Sequence, residues 1–142
     1  MKSVKHLLDT KQVRIISVSE NTSVLDALKV MTDKNISAVL VMEGPQLSGI
    51  FTERDYARKI ILQGKSSKNT LISEAMTANP ITIKLSDTID YCMELMTDKH
   101  IRHLPIVEND EVKGMLSIGD LVKFIIADQK QTISQLESYI SG

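Results

Sequence analysis

Two short segments of this 142-residue chain place a hydroxyl and a carboxyl group at the same spacing: Gly49-Ile50-Phe51-Thr52-Glu53-Arg54-Asp55 and Gly114-Met115-Leu116-Ser117-Ile118-Gly119-Asp120. Each reads as a strand running into a helix start, with Thr52 or Ser117 as the N-cap and an aspartate three residues on. Two chemistries fit. The hydroxyl and carboxylate can cap their own helix, an arrangement that also complements the helix dipole. The same helix start can instead turn its free backbone N–H groups and its hydroxyl toward an anion, with the carboxylate accepting both hydroxyl protons of a ribose.

Nearby basic residues bear on the choice. Arg54 and Arg58 stand i,i+4 on the helix that begins at Thr52 and either frame a phosphate or lie as solvated surface charge. Arg102 and His103 open a later extended run. They reach an anion if a helix-start motif lies across a cleft from them; a core histidine and a surface salt bridge are the rival roles. Gly119 stands where the first segment has Arg54, and Arg102 where an earlier strand has Ser37, so two sites of unequal affinity, or one used site, are expected.

Other chemistries find little support. The three histidines, His6, His100 and His103, lack HExxH spacing or cysteine partners for a metal. Cys92 is alone, beside Met93 and Met96 on an apolar helix face, so it reads as a small buried hydrophobe, and Met31 and Met96 read as core. GxSxG, GxxxxGK[ST] and GxGxxG are absent, and Glu53 is answered by Ile118 in the second segment, so no paired carboxylates emerge. With 18 Asp+Glu against 17 Lys+Arg and only 4% aromatic residues, the chain suits a small anionic ligand better than a polyanion. No apolar run approaches the length of a membrane span. Asp9 and Lys11 interrupt any signal-peptide core, so an intracellular protein is expected.

The elements that must position these residues come in duplicate. At a shift of 65 residues Met31-Thr32-Asp33-Lys34 falls on Met96-Thr97-Asp98-Lys99, Gly49 on Gly114, Thr52 on Ser117 and Asp55 on Asp120, without a gap from residue 16 to 56. Each copy predicts β-α-β-β-α. First strands are expected at Ile15–Val18 and Ile81–Ile83. Thr22 or Ser23, and Ser86 or Asp87, precede helices carrying Val24, Leu28 and Met31, or Ile89, Met93 and Met96, at helical spacing. Asn35 and His100 close those helices. Hairpins follow, turning at Glu43-Gly44-Pro45 and Glu108-Asn109-Asp110. Pro105 makes its strand an edge or an irregular one. A short helix is expected around Ser73–Met76, between the copies. Thr132-Ile133-Ser134-Gln135 reads as a capping box opening a terminal helix whose stripe of Ile133, Leu136 and Ile140 covers either its own core or a partner subunit.

These features together resemble the cystathionine-β-synthase (CBS) domain family. The resemblance is carried by Asn35-Ile36-Ser37-Ala38-Val39-Leu40-Val41, by His100-Ile101-Arg102-His103-Leu104-Pro105-Ile106-Val107, and by the GxxTxxD and GxxSxxD segments, over residues 8–128. It implies an α/β (α+β) fold of tandem β-α-β-β-α repeats packed through their sheets with pseudo-two-fold symmetry. The expected repeats span 8–64 and 65–128, with 129–142 as a helical extension. It further implies a non-catalytic regulatory module that needs no cofactor but holds an adenosine ligand, AMP, ADP or ATP before NAD(H) or S-adenosylmethionine, in the cleft between repeats. Matched residue by residue, Asp55 and Asp120 are ribose carboxylates, and Thr52 and Ser117 are hydroxyls near ribose and phosphate. Ser17 and Thr82 line the adenine side, and backbone around Ser37 and Arg102 walls the site. A homodimer, an unidentified regulated protein and a cytoplasmic location complete the expectation; a structural or protein-interaction module without a nucleotide is the alternative.

Overall fold

The computed structural model describes residues 2–11 and 14–141. In chain order these form α1 (Val4–Thr10), β1 (Ser17–Ser19), α2 (Val24–Lys34), β2 (Ala38–Glu43), β3 (Gln46–Thr52) and α3 (Glu53–Tyr56). A π-helical turn (Ala57–Ile61), α4 (Ile72–Ala75), β4 (Thr77–Ala78), α5 (Ile89–Lys99), β5 (His103–Glu108), β6 (Glu111–Ser117) and α6 (Ile118–Ser141) follow. One sheet has the order β1-β2-β3-β4; the other is the β5-β6 hairpin. The expected first strand of the second copy shrinks to a parallel bridge between Ile83 and Ile106, held by Ile83 N–H to the Pro105 carbonyl and Val107 N–H to the Ile83 carbonyl. Pro105 gives the ladder no donor but its carbonyl is thereby used.

The duplication is visible in local geometry. Asn35 and His100 both end their helices in the left-handed region, at φ 54° and 55°, and both hairpins shift register at equivalent places, Val41/Met42 and Ile106/Val107. Ser23 caps α2 as expected. The cap of α5 is Thr88, not Ser86 or Asp87: its hydroxyl accepts from Tyr91 N–H at 3.1 Å. At the far end the expected break is missing. α6 runs through Thr132, whose hydroxyl donates to the Asp128 carbonyl one turn back instead of capping a new helix. Ile133, Leu136 and Ile140 are all more than half exposed, so they cover no core of their own chain. Gly142, the last residue of the expected extension, lies outside the described residues.

Period-two alternation gives the strands two buried faces. Val39, Val41 and Phe51 face a core with Val24, Ala27, Met31 and Ile60; Leu104, Ile106 and Leu116 face another with Ile89, Cys92, Met96 and Leu121. The opposite faces carry Ala38, Leu40 and Ile50, buried yet outside both cores, where β3 meets β6. Core membership crosses the 64/65 boundary. Val4 and Leu7 of α1 belong to the second core, and Ile72 and Ala75 of α4 to the first. Backbone bonds fix both crossings: Val4 N–H to the Asp87 carbonyl at 2.9 Å, and Ile72 N–H to the Thr22 carbonyl at 2.7 Å.

Candidate functional site

Both helix starts cap themselves. At the first, Thr52 N–H and Oγ1 donate to Asp55 Oδ2 at 3.0 and 3.2 Å, and Asp55 N–H returns a bond to Thr52 Oγ1. At the second, Ser117 N–H donates to Asp120 Oδ2 at 2.9 Å and Asp120 N–H returns to Ser117 Oγ at 3.1 Å. The capping chemistry read from the sequence is therefore present at both, yet both starts also open onto clefts. A wide cleft of about 610 Å³ is lined by Thr52, Arg54, Asp55 and Arg58 on one side and by Arg102 and His103 on the other. A narrow cleft of about 290 Å³ is lined by Ser117 and Asp120, facing Ser37 and Ala38. The helix start of one copy thus lies across a cleft from the second strand of the other, in both directions.

The expected site residues divide between these clefts. Arg54, Arg58 and Arg102 line the wide one; Asp120 and Ser117 line the narrow one; Ser37 and His103 line both. The bond between Ser37 Oγ and His103 Nε2, 3.1 Å, is the partition between them. A sugar on Asp120 therefore does not share a cleft with Arg54, Arg58 or Arg102. Ser17 and Thr82 line neither cleft. Their neighbours Ile16 and Ile81 do, because a one-residue step along an extended chain reverses the side chain's face. The sequence reading passed over Lys11 and Arg14 in the narrow cleft, and Lys59, Thr77, Asn79 and Lys99 in the wide one. Continuing the 65-residue shift upstream of residue 16 places Arg14 on Asn79 and would have flagged both stretches.

The two aspartates differ in what they have left to offer. Asp55 is 8% exposed; its Oδ1 accepts from Thr77 Oγ1 at 3.0 Å and forms an ion pair with Lys59 Nζ at 3.2 Å, in addition to the two bonds on Oδ2. Lys59, placed by the π-helical turn, also donates to the Met76 carbonyl at 3.0 Å, so this cluster fastens the segment between repeats. Asp120 is more open. Its Oδ2 takes Ser117 N–H and Lys11 Nζ, the latter at 3.0 Å, and among the described residues its Oδ1 takes no hydrogen bond. Burial alone would raise the Asp120 carboxyl, but the Ser117 amide, the Lys11 ammonium and the Ser117 hydroxyl outweigh it and hold the pKa below the ordinary value. Arg54 spends one guanidinium nitrogen on the His100 carbonyl, 2.7 Å, across the repeats. Among the described residues, no three His, Cys, Asp or Glu side chains gather as a metal site. Cys92 is buried, its thiol pushed up to about 11 by burial and Asp87.

A tandem of β-α-β-β-α units, meeting through strand faces with two clefts between them, defines a class of small two-repeat modules. The CBS domain profile matches this chain twice, at residues 4–62 and 72–127, and the chain belongs to the CBS domain family. It is 42% identical over 125 residues to the mitochondrial CBS domain-containing protein CBSX3 of Arabidopsis thaliana, covering 84% of this chain but spanning only 61% of that protein's length. A solved CBS-domain protein from Burkholderia ambifaria is 46% identical, with a TM-score of 0.86 over 90% of this chain and 96% of its own. CBSX2, solved in complex with AMP, shares the fold at 21% identity, with a TM-score of 0.75 over 91% of this chain and 99% of its own. Among the described residues no helix is long and apolar enough to cross a membrane.

Proposed function

We propose that this CBS pair is a non-catalytic sensor that takes an adenine nucleotide, of the AMP, ADP or ATP class, in the narrow cleft between its repeats. The observation that carries this reading is the Asp120 carboxylate, held ionised in that cleft with Oδ1 unspent among the described residues. A carboxylate has about four lone-pair positions, and a ribose diol brings two donors. Lys11 and Arg14 stand in the same cleft for phosphate, and Ile16, Ile36, Ala38 and Met115 offer an apolar wall for the base. The AMP complex of CBSX2 supports the ligand class. Different affinity for two arrangements of the repeats, or of a dimer, would turn nucleotide level into a change of shape read by a regulated protein in the cytoplasm.

Titration calorimetry with AMP, ADP, ATP, NADH and S-adenosylmethionine tests the reading on wild type and Asp120→Ala. Loss of a charged hydrogen bond to ribose is expected to weaken binding at least tenfold, ~1.4 kcal/mol. No ligand heat in wild type, or lost stability with unchanged affinity in the variant, would leave a protein-interaction scaffold in its place.

A further inference from the structure

We infer that α6 pairs with the α6 of a second copy of this chain as a parallel two-stranded coiled coil, its seam running from Val122 to Ile140. The inference is independent of the nucleotide reading, since no residue of that seam lines either cleft. Its first support is how α6 leaves the body. Leu121, Phe124 and Ile125 hold its first turns on the second core, whereas every residue from 129 to 140 is exposed. About three turns of helix that include Thr132, Ser134 and Ser138 are marginal in water without a packed face.

The second support is spacing. Val122, Ile126, Gln129, Ile133, Leu136 and Ile140 follow one another at alternating steps of four and three, the period of a coiled-coil seam. The apolar members are 41 to 83% exposed. Ile126, Ile133 and Ile140 take the a positions, and Val122, Gln129 and Leu136 the d positions. Isoleucine at a with leucine at d favours two parallel strands. Gln131, Ser134, Gln135 and Ser138, on the opposite side, are all polar. Parallel pairing stacks like on like and sets the Gln129 amide against its twin, where each can donate and accept. Antiparallel pairing about Ile133 and Leu136 would bury Gln129 against Ile140 and leave Val122 and Ile126 in water. Its compensation, Lys130 facing Glu137 of the other copy, is a surface ion pair of little worth. Charge also selects the occupant. Beyond residue 128 the helix carries only Lys130 and Glu137, which cancel. It thus complements a copy of itself and lacks the row of lysine and arginine by which a helix lies on an anionic membrane. The seam stands about a quarter turn round α6 from Leu121, Phe124 and Ile125, so a two-fold axis along it sends the two bodies to opposite sides.

Disulfide trapping of the full chain under mild oxidation tests this, the native Cys92 being buried. Gln129→Cys and Ile140→Cys are each expected to link to their own kind, and a mixture of the two to give no 129–140 link, because those levels lie about 16 Å apart along the helix. Ser134→Cys, on the outer side, is expected to stay unlinked. In sedimentation equilibrium, Ile133→Gln/Ile140→Gln is expected to raise the dimer dissociation constant at least tenfold. Both side chains lie outside the two cores, so circular dichroism is expected to show the body still folded. A monomeric wild type, a 129–140 link in the mixture, equal linking at Ser134→Cys, an unweakened dimer in the double variant, or flotation of wild type with phosphatidylglycerol vesicles overturns the inference.

Discussion

His103 is held below its ordinary value of 6.5 chiefly by burial; Asp120 and Glu53 pull the other way, and Arg102 adds to the depression. The unfolded chain therefore takes up this proton before the folded one does. Stability linked to His103 is complete above 6.5 and declines as pH falls below it. Asp120 is also depressed, so its share is intact above the ordinary carboxylate value of 3.8 and disappears only as pH drops through the lower folded value. Thermal melts at about pH 7.5 and about pH 5.5 are expected to show a drop in wild type that shrinks in His103→Asn. A second expectation concerns the Asp55 cluster. Thr77→Val removes one of three hydrogen-bond donors to a nearly buried carboxylate, and urea unfolding is expected to show a loss of about 1 kcal/mol.

At the scale of elements, Gly49 sets how closely β4 lies on β3. A Cβ there would come within 2.6 Å of the Thr77 carbonyl oxygen and 2.7 Å of Met76 Sδ. Gly49→Ala is expected to lower the unfolding free energy by about 1–3 kcal/mol, measured in urea, as β4 is pushed from its partner. The hairpins, both left-handed helix ends and both hydroxyl–carboxylate starts were legible because each is encoded within a few residues. Thr88 was not, since three cap-forming residues stand in a row at 86–88. Docking of the chain start decides among them: Ser3 bridges Thr88, and Ile89 N–H bonds the Lys2 carbonyl. Ser17 and Thr82 failed for a similar reason, because the pattern of short extended runs fixes a strand but not which face meets a cleft. The pairing of Arg54, Arg58 and Arg102 with one cleft and Asp120 with the other depends on how two repeats meet, which no local spacing encodes.

At the scale of the molecule, the exposed residues Val122, Ile126, Ile133, Leu136 and Ile140 recur along α6 at spacings that keep them on one side of the helix. An apolar stripe of this length left in water suits a second subunit, in keeping with the homodimer that the family resemblance implies. Light scattering is expected to give twice 15.8 kDa for wild type and to fall toward that mass for Leu136→Asp. The crossed placement of α1 and α4 has a consequence of another kind. Each hydrophobic centre keeps its lid on the far half of the polypeptide, so neither half can be completed from its own residues. Expressed apart, 1–64 and 65–142 are expected to stay unfolded and to regain helical signal in circular dichroism only when mixed. Such interlocking makes the pair, not the single repeat, the unit that a cell can gain, lose or transplant.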